Sequence, residues 1–478
     1  MVDTSAVGGG RAIGGGNSDG AGVGYGVEHG YGLSSVERGI GMRRGYLLFN
    51  TAGDRADLSV FSLWDWPGEK KTLRITDGAG ESLPFQILEE DVDFWGHKRT
   101  DIAVSCPLPS MGWRLIIADE DADTPLSLTF PWGPRVHRPY EYVLENELLR
   151  AELDPVSGAV RTLTDKRSGQ TAASGGGFFG LTESPDVSNP AWMIGRHTGD
   201  EAPVIAETIE WLHKGELRGA VKVTGRYKNS KISYVISLDK GADYLTFTAE
   251  VDWLEIGAKE IGMPQLRFKT RHAAPATDYL YDIPLGWLRR PAIDMDVPGL
   301  TCACSCPAEG PALAILSRDK YGYRCFDGVM SLTLLHSSYR PDPYPEFGRH
   351  DFTFHLAVPG QPTPAYVGAL SKRLCHPAFP LSVTAHGGEL PAEFSLLRCD
   401  AAISGVKPAE DGSGDVIIRL YGDRDSDQDT ALTLREPVVS ACLCSLTEVP
   451  GTPLAVSGRT VKVPLRQNVV ATVRVKPR

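Results

Sequence analysis

Apolar and polar residues alternate along most of this chain with a period of two, the pattern of half-buried strands. From Gly45, GYLLFNTAGDRADLSVFSLWDW reads as an apolar strand, a polar turn over Asn50 to Asp54, and a second strand bearing aromatics. TLRITDGAGESLPFQILEED adds two strands around an Asp77-Gly78 turn, and IAVSCPLP and GWRLIIADE close a group of about six near Asp119. Strands then recur about every 8 to 12 residues, punctuated by Gly, Asp and Asn turns such as Asn146 and Asp154 to Gly158. Helical periodicity is scarce, and one short helix is predicted between Gly360 and Pro380, in PAYVGALSKRL. The fold class that follows is all-β. A small β-sandwich is expected over 45–134, a large antiparallel supersandwich over 135–380, and a C-terminal β-sandwich over 381–478.

One stretch breaks the alternation. Met330 to His336 is a compact apolar strand, and in a second strand Phe352, Phe354, Leu356 and Val358 alternate with Thr353, His355 and Ala357. Between them Pro341, Pro343 and Pro345 fall at every second position, which excludes both helix and central strand because each ring removes a donor and restrains its predecessor. The same loop carries Tyr339, Arg340, Asp342, Tyr344, Glu346, Phe347 and Arg349. A stiff loop of aromatics and mixed charge suits a sugar-contacting rim, and equally a plain surface connection. Tyr339, Arg340, Asp342, Tyr344 and Arg349 are its candidate substrate-binding residues.

Residues 1–44 lack this patterning. They hold 13 glycines in the first 40 positions and few large apolar side chains, so a flexible tail is expected. Gly22 to Gly26 lacks the spacing and flanking elements of a phosphate-cradling loop. Lys and Arg number 49 against 60 Asp and Glu, a net charge of -11, which argues against a nucleic-acid partner. No apolar run approaches the roughly 20 residues needed to span a bilayer, and the first residues do not form a signal peptide. Nine scattered cysteines fit reduced thiols in a cytoplasm.

Candidate chemistry is thin. Asp351 and His355 would share a strand face but lie roughly 13 Å apart at about 3.3 Å per residue, too far for one ion, while His350 faces the other way. Cys302, Cys304 and Cys306 are each about 6.6 Å from the next on an extended strand, so buried thiols are expected and not a zinc site. Asp425, Asp427, Asp429 and Glu436 have the spacing of a calcium loop, but Thr430 stands where that loop needs Gly. Glu89, Glu90, Asp91 and Asp93 read as a solvated acidic run. No H-E-x-x-H or P-loop occurs, and paired glycosidase carboxylates cannot be recognised by spacing.

Several stretches, in order, resemble the C-terminal β-region of glycoside hydrolase family 38 α-mannosidases. RGYLLFNTAGDRADLSV looks like the family segment in which an Asn, here Asn50, follows an apolar strand and opens a turn. LPFQILEE and PLPSMGWRLI are similar to the strands after it, and YVLENELLRAELDPVSGAVRTLTDKRSG to the start of the supersandwich, with Glu145-Asn146 and the Asp154-Pro155 turn in place. SPDVSNPAWMIG, YDIPLGWLRRP and LLHSSYRPDPYPEFGRHDFTFHLAVPG follow in kind and order, and RLYGDRDSDQDTALTL and CLCSLTEV resemble the terminal sandwich. Two positions depart from the family: His336 stands where Arg is frequent, and Gly422 where Glu follows RLY.

The resemblance implies a galactose-mutarotase-like supersandwich and a retaining, zinc-assisted mannoside hydrolase as fold partner. The family's α/β catalytic domain, with its His-x-Asp zinc site and aspartate nucleophile, is not located in this sequence. Catalytic residues are therefore unknown, no metal ligand is assigned, and zinc is expected only in a catalytic domain outside this chain. The implied partners are carbohydrate, above all mannosides, a separate catalytic chain, and a second copy as homo-oligomer; nucleic acid and membrane are not among them. The leading expectation is the β-part of a glycosidase whose catalytic half is missing, split onto another chain or lost at a misplaced start. The alternatives are a stand-alone carbohydrate-binding or scaffold protein, and a mutarotase- or lyase-like enzyme using a concave sheet face.

Overall fold

The computed structural model describes residues 1–7, 43–64, 66, 72–94, 97–120, 141–198, 201–383, 385–424 and 426–478. Almost all regular structure among them is antiparallel β, in three sheet-built units. In the first, Arg43–Asn50 pairs with Gly112–Glu120, and a three-stranded sheet of Leu58–Trp64, His97–Ser105 and Phe85–Phe94 packs across it. Tyr46, Leu48 and Ile116 meet Phe61, Leu63 and Ile102 in its core. Leu47, Leu115 and Ile117 point the other way and are covered by Val7. Burial on both faces explains why this strand reads as a continuous apolar run.

Two expectations are corrected here. Residues 1–44 were assigned to a flexible tail, yet Met1–Val7 dock on the first unit, where the Asp3 N–H donates to the Leu390 carbonyl at 2.6 Å and Val7 is fully buried. Arg43 and Arg44 already belong to the first strand, and residues 8–42 lie outside the described residues. Phe379–Val383 and Glu393–Ser395 were divided between the supersandwich and the last sandwich. They pair instead with Arg43–Asn50 and Gly112–Glu120, because both edges of that short sheet have backbone groups to satisfy.

The central unit is a sandwich of two nine-stranded sheets. In the first, Ile293–Pro298, Gly322–Phe326, Val329–His336, Met263–His272 and Gln170–Glu183 run side by side. In the second, Arg218–Tyr227, Ser230–Asp239, Tyr244–Trp253, Gly348–Ala357 and Ala314–Ser317 do the same. Between them Phe247 and Phe354 stack at 4.9 Å, Phe268 lies 4.8 Å from Phe354, and Phe178 meets all three edge-on at 5.8–6.3 Å. The predicted helix spans Pro364–Cys375, with the Thr363 hydroxyl capping the Tyr366 N–H and Pro at its first turn. The last unit packs a five-stranded sheet on a four-stranded one around Leu432, Val461, Val463, Ile418 and Val473.

Buried polar side chains hold the turns and the units. Asn50 donates to the carbonyls of Gly53 and Pro109, both at 2.8 Å, and accepts from the Ala52 N–H. Asn146 donates to Asp239 and Ala242 and accepts from Leu148 and Leu149, so all its capacity is used inside the fold. Arg55 from the first unit donates to the carbonyls of Arg373 and His376 at the helix C-terminus, where a cation also complements the helix dipole. Gln86 accepts from the Leu217 and Arg218 N–H groups and donates back to Arg218. Asn146→Ala would strand two carbonyls and two amides, so it should destabilise the protein by about 3 kcal/mol. A thermal melt beside the exposed-site control Asn229→Ala measures that loss.

Candidate functional site

The inward turn of Phe268 sends its neighbours outward. Along Met263–His272, Gln265, Arg267, Lys269 and Arg271 therefore face away from the aromatic core, on the outer side of the first sheet. Opposite Arg267 in the register stands Thr333, and Ser331 is opposite Lys269. The polar groups of that face close on one another. Arg267, 1% exposed, donates to both oxygens of Asp296 at 2.8 and 2.6 Å, to Gln265 Oε1 at 3.1 Å and to Ser331 at 2.9 Å. Thr333 also donates to Asp296. Gln265 Nε2 donates to Glu183 Oε2 at 2.5 Å, and His336 Nε2 lies 2.8 Å from the same oxygen. The Gly195 N–H donates to Glu183 Oε1, which ties the 184–198 segment onto the sheet end.

A cavity of about 290 Å3 opens beside this network, lined by Leu181, His197, Arg267, Asp294, Arg324 and Phe326. Burial, aided by the positive charges of Arg267 and Arg324, pushes the His197 imidazole down to about 4. It is neutral at pH 7, and Arg324 donates to its Nδ1. Burial works to raise Asp296, but the Arg267 guanidinium prevails and holds it below the usual carboxylate range. The arrangement supplies a fixed guanidinium–carboxylate pair and a neutral imidazole within one concavity, means to orient hydroxyl groups.

The Ser337–Phe347 loop leaves the first sheet and returns as Gly348–Ala357 in the second. Trp253 Nε1 donates to the Ser337 hydroxyl, which donates on to the Glu255 carbonyl, anchoring its start. Tyr339 donates to the Pro185 carbonyl at 3.3 Å, and the Arg340 carbonyl accepts from the Ala191 N–H at 3.0 Å. The loop thus leans on the segment that presents Trp192, 75% exposed, with Met193 and Ile194. Asp342 caps the Tyr344 N–H in a local turn, so it is a shaping residue here, and the Tyr344 ring is exposed. Arg349 does not join this group: it lies on the second sheet beside Glu250 at 3.4 Å and Asp351 at 3.7 Å.

The remaining motifs separate. His355 is buried against Tyr244, His350 binds the Glu346 carbonyl, and Cys302 and Cys304 are buried free thiols, with Cys306 half-buried. Asp427 accepts from the Gln467 N–H and Asp429 pairs with Lys462, while Asp425 lies outside the described residues. Among the described residues no three His, Cys, Asp or Glu side chains converge as metal ligands, so they do not fit a zinc centre. No described helix is long and apolar enough to cross a membrane. Gly422 has a structural cause: a Cβ there would lie 2.1 Å from the Arg466 carbonyl oxygen. The Glu183–Gln265–Arg267–Asp296 network went unrecognised in the sequence, although the alternating Q-L-R-F-K-T-R of 265–271 was a signal for it.

Residues 144–344 match the glycosyl hydrolases family 38 C-terminal domain, and residues 400–473 match the family 38 C-terminal beta sandwich domain. The chain carries the C-terminal β-domains of glycosyl hydrolase family 38. Alpha-mannosidase 2C1 of Homo sapiens is 29% identical over 328 residues, 64% of this chain and 31% of the human protein. The Mus musculus protein is 28% identical over 332 residues, 64% of this chain and 30% of its own length. The match thus spans about a third of these relatives. An alpha-mannosidase from Enterococcus faecalis V583 superimposes with a TM-score of 0.71 at 16% identity, over 91% of this chain and 56% of that one, a likeness of fold. The polar network, from Glu183 to His336, lies within the matched span of residues 144–344.

The network makes stability depend on pH. His197 titrates near 4 in the folded protein and near its ordinary 6.5 when unfolded. Its contribution is complete above about pH 6.5 and is lost as pH falls from there toward 4, because the unfolded chain takes up the proton first. Melts at pH 7 and pH 5 should show the wild type losing about 2–4 °C more than His197→Gln.

Proposed function

We propose that this chain is the C-terminal β-sandwich part of an α-mannosidase-like glycoside hydrolase and acts on mannosides together with a catalytic half on another segment or chain. The observation that carries the reading is the pair of family 38 matches on the two larger sheet units. The Ser337–Phe347 loop would form a wall of the substrate cleft. Tyr344 and Trp192 offer exposed ring faces for the C–H face of a pyranose, and Arg340 has no ion pair among the described residues and is free to bind hydroxyls. Tyr339 and Asp342 hold that rim in shape, and Arg349 would stand at its far end. Nine free thiols support a reducing, cytoplasmic setting.

A second reading is a stand-alone carbohydrate-binding or scaffold protein, in keeping with the lack of a metal-ligand cluster among the described residues. Turnover of an aryl α-mannoside by the purified chain, with and without zinc or cobalt, would rule it out. Mannoside binding followed by calorimetry tests the rim: Arg340→Ala and Tyr344→Ala should each weaken it about three- to tenfold. Unchanged affinity in both would return the loop to a surface connection.

A further inference from the structure

The opposite side of the supersandwich holds a second concavity. Phe352, Phe354 and Leu356 point into the core, so His355 between them faces outward from the second sheet. There the first sandwich covers it, together with Tyr244, Thr246 and the Arg218–Asp239 pair. The chain leaving the helix, Leu374 to Pro380, closes one side. The cleft measures about 430 Å3, within the range of about 300–1,000 Å3 common for small-ligand sites. The core of two sheets separates it from the Glu183–Arg267 network.

Its charges cancel. Arg218 grips Asp239 through two bonds of 2.6 and 2.7 Å, Arg55 binds Asp57 at 3.0 Å, and Asp57 lies 3.6 Å from Arg373. Asp101 accepts from the Ser62 hydroxyl at 2.7 Å. Three guanidinium groups thus meet three carboxylates, and such a lining gives no net attraction to a phosphate or carboxylate ligand. Arg373 Nε makes no hydrogen bond, only its ion pair with Asp57, and two neutral polar groups remain. The Tyr244 hydroxyl, on a residue 4% exposed, and Nε2 of His355, on a residue 9% exposed, form no hydrogen bond among the described residues. His355 Nδ1 is occupied by the Thr246 hydroxyl at 3.1 Å, and burial keeps the ring neutral at pH 7 by lowering it to about 4. Both residues line the cleft, where a bound hydroxyl can supply the missing partner. Facing them are apolar surfaces: Val60, Pro380 and the half-exposed ring of Phe379, itself stacked on Phe49.

We propose that this cleft is a second binding site, for one neutral sugar residue, with Tyr244 and His355 bonding its hydroxyls and Phe379 and Val60 covering its C–H face. An amphipathic, charge-balanced concavity of this size selects an uncharged polyhydroxyl compound over an ion or a wholly apolar molecule. The choice of mannose as probe rests on the mannoside reading above; the site itself does not.

The test uses the full chain with Arg340→Ala and Tyr344→Ala both installed, so that the rim makes no contribution, and titrates D-mannose by calorimetry. Residual binding of about millimolar strength is expected. Adding Tyr244→Phe, which keeps the ring in the core, should weaken it about three- to tenfold. Val60→Trp, which fills the cleft from a partly exposed strand position, should abolish it, with thermal melts verifying that both variants fold. Mannose 6-phosphate should bind no more tightly than mannose. Three results would overturn the proposal while leaving the rim reading intact: no residual binding, residual binding indifferent to both cleft substitutions, or a strong preference for the phosphate. If the unsubstituted chain also binds no mannose, the rim and the cleft fail together.

Discussion

The contact on which the rest of this molecule depends is the packing of Phe178, Phe247, Phe268 and Phe354 between the two large sheets. Each ring sits on a different strand, and a strand has only two faces. Once these rings turn inward, their neighbours must turn outward, since a slip of one residue would exchange every side chain between core and surface. Arg267 and Lys269 are outside because Phe268 is inside, and His355 is outside because Phe354 and Leu356 are inside. Both concavities are thus consequences of one aromatic contact, on opposite sides of it.

What those outward groups become depends on what covers them. On the first sheet, Arg267 is buried without being in the apolar core, because Asp296, Gln265 and Ser331 converge on it. A buried guanidinium of this kind is tolerable only when its donors are taken up, and here Asp296 and Ser331 arrive from other strands while Gln265 comes from its own. On the second sheet the cover is the first sandwich, fastened by Gln86 and by Arg55 at the helix end. Those anchors are backbone-directed hydrogen bonds at unit boundaries, which fix position more than they add stability.

The period-two pattern, the Asn and Gly turns and the single capped helix were legible in the chain because they are local: each depends on neighbours within a few residues. The Asn50 and Asn146 turns illustrate this, since their side chains bind amides two or three positions away. The same side chains also bind carbonyls of Pro109, Asp239 and Ala242, which no local pattern announces. The assignment of 379–395 failed for the same reason. Strand character was readable there, but which sheet edge it would complete was decided by the distant Arg43–Asn50 and Gly112–Glu120.

By itself, then, the sequence determined that this protein is built of antiparallel sheets in three units, where most turns fall, and that its motifs follow the order of the family 38 β-region. Tertiary structure alone decided that Tyr339 and Arg340 lean on the 185–191 segment while Arg349 stands apart. It also decided that Glu183, Gln265, Arg267 and Asp296 form one network, and that His355 faces a cleft under another unit. The division is physical. Alternation and turn chemistry are written in adjacent residues, whereas a polar site is made by side chains whose strands become neighbours only when the sheets pair and close on their core.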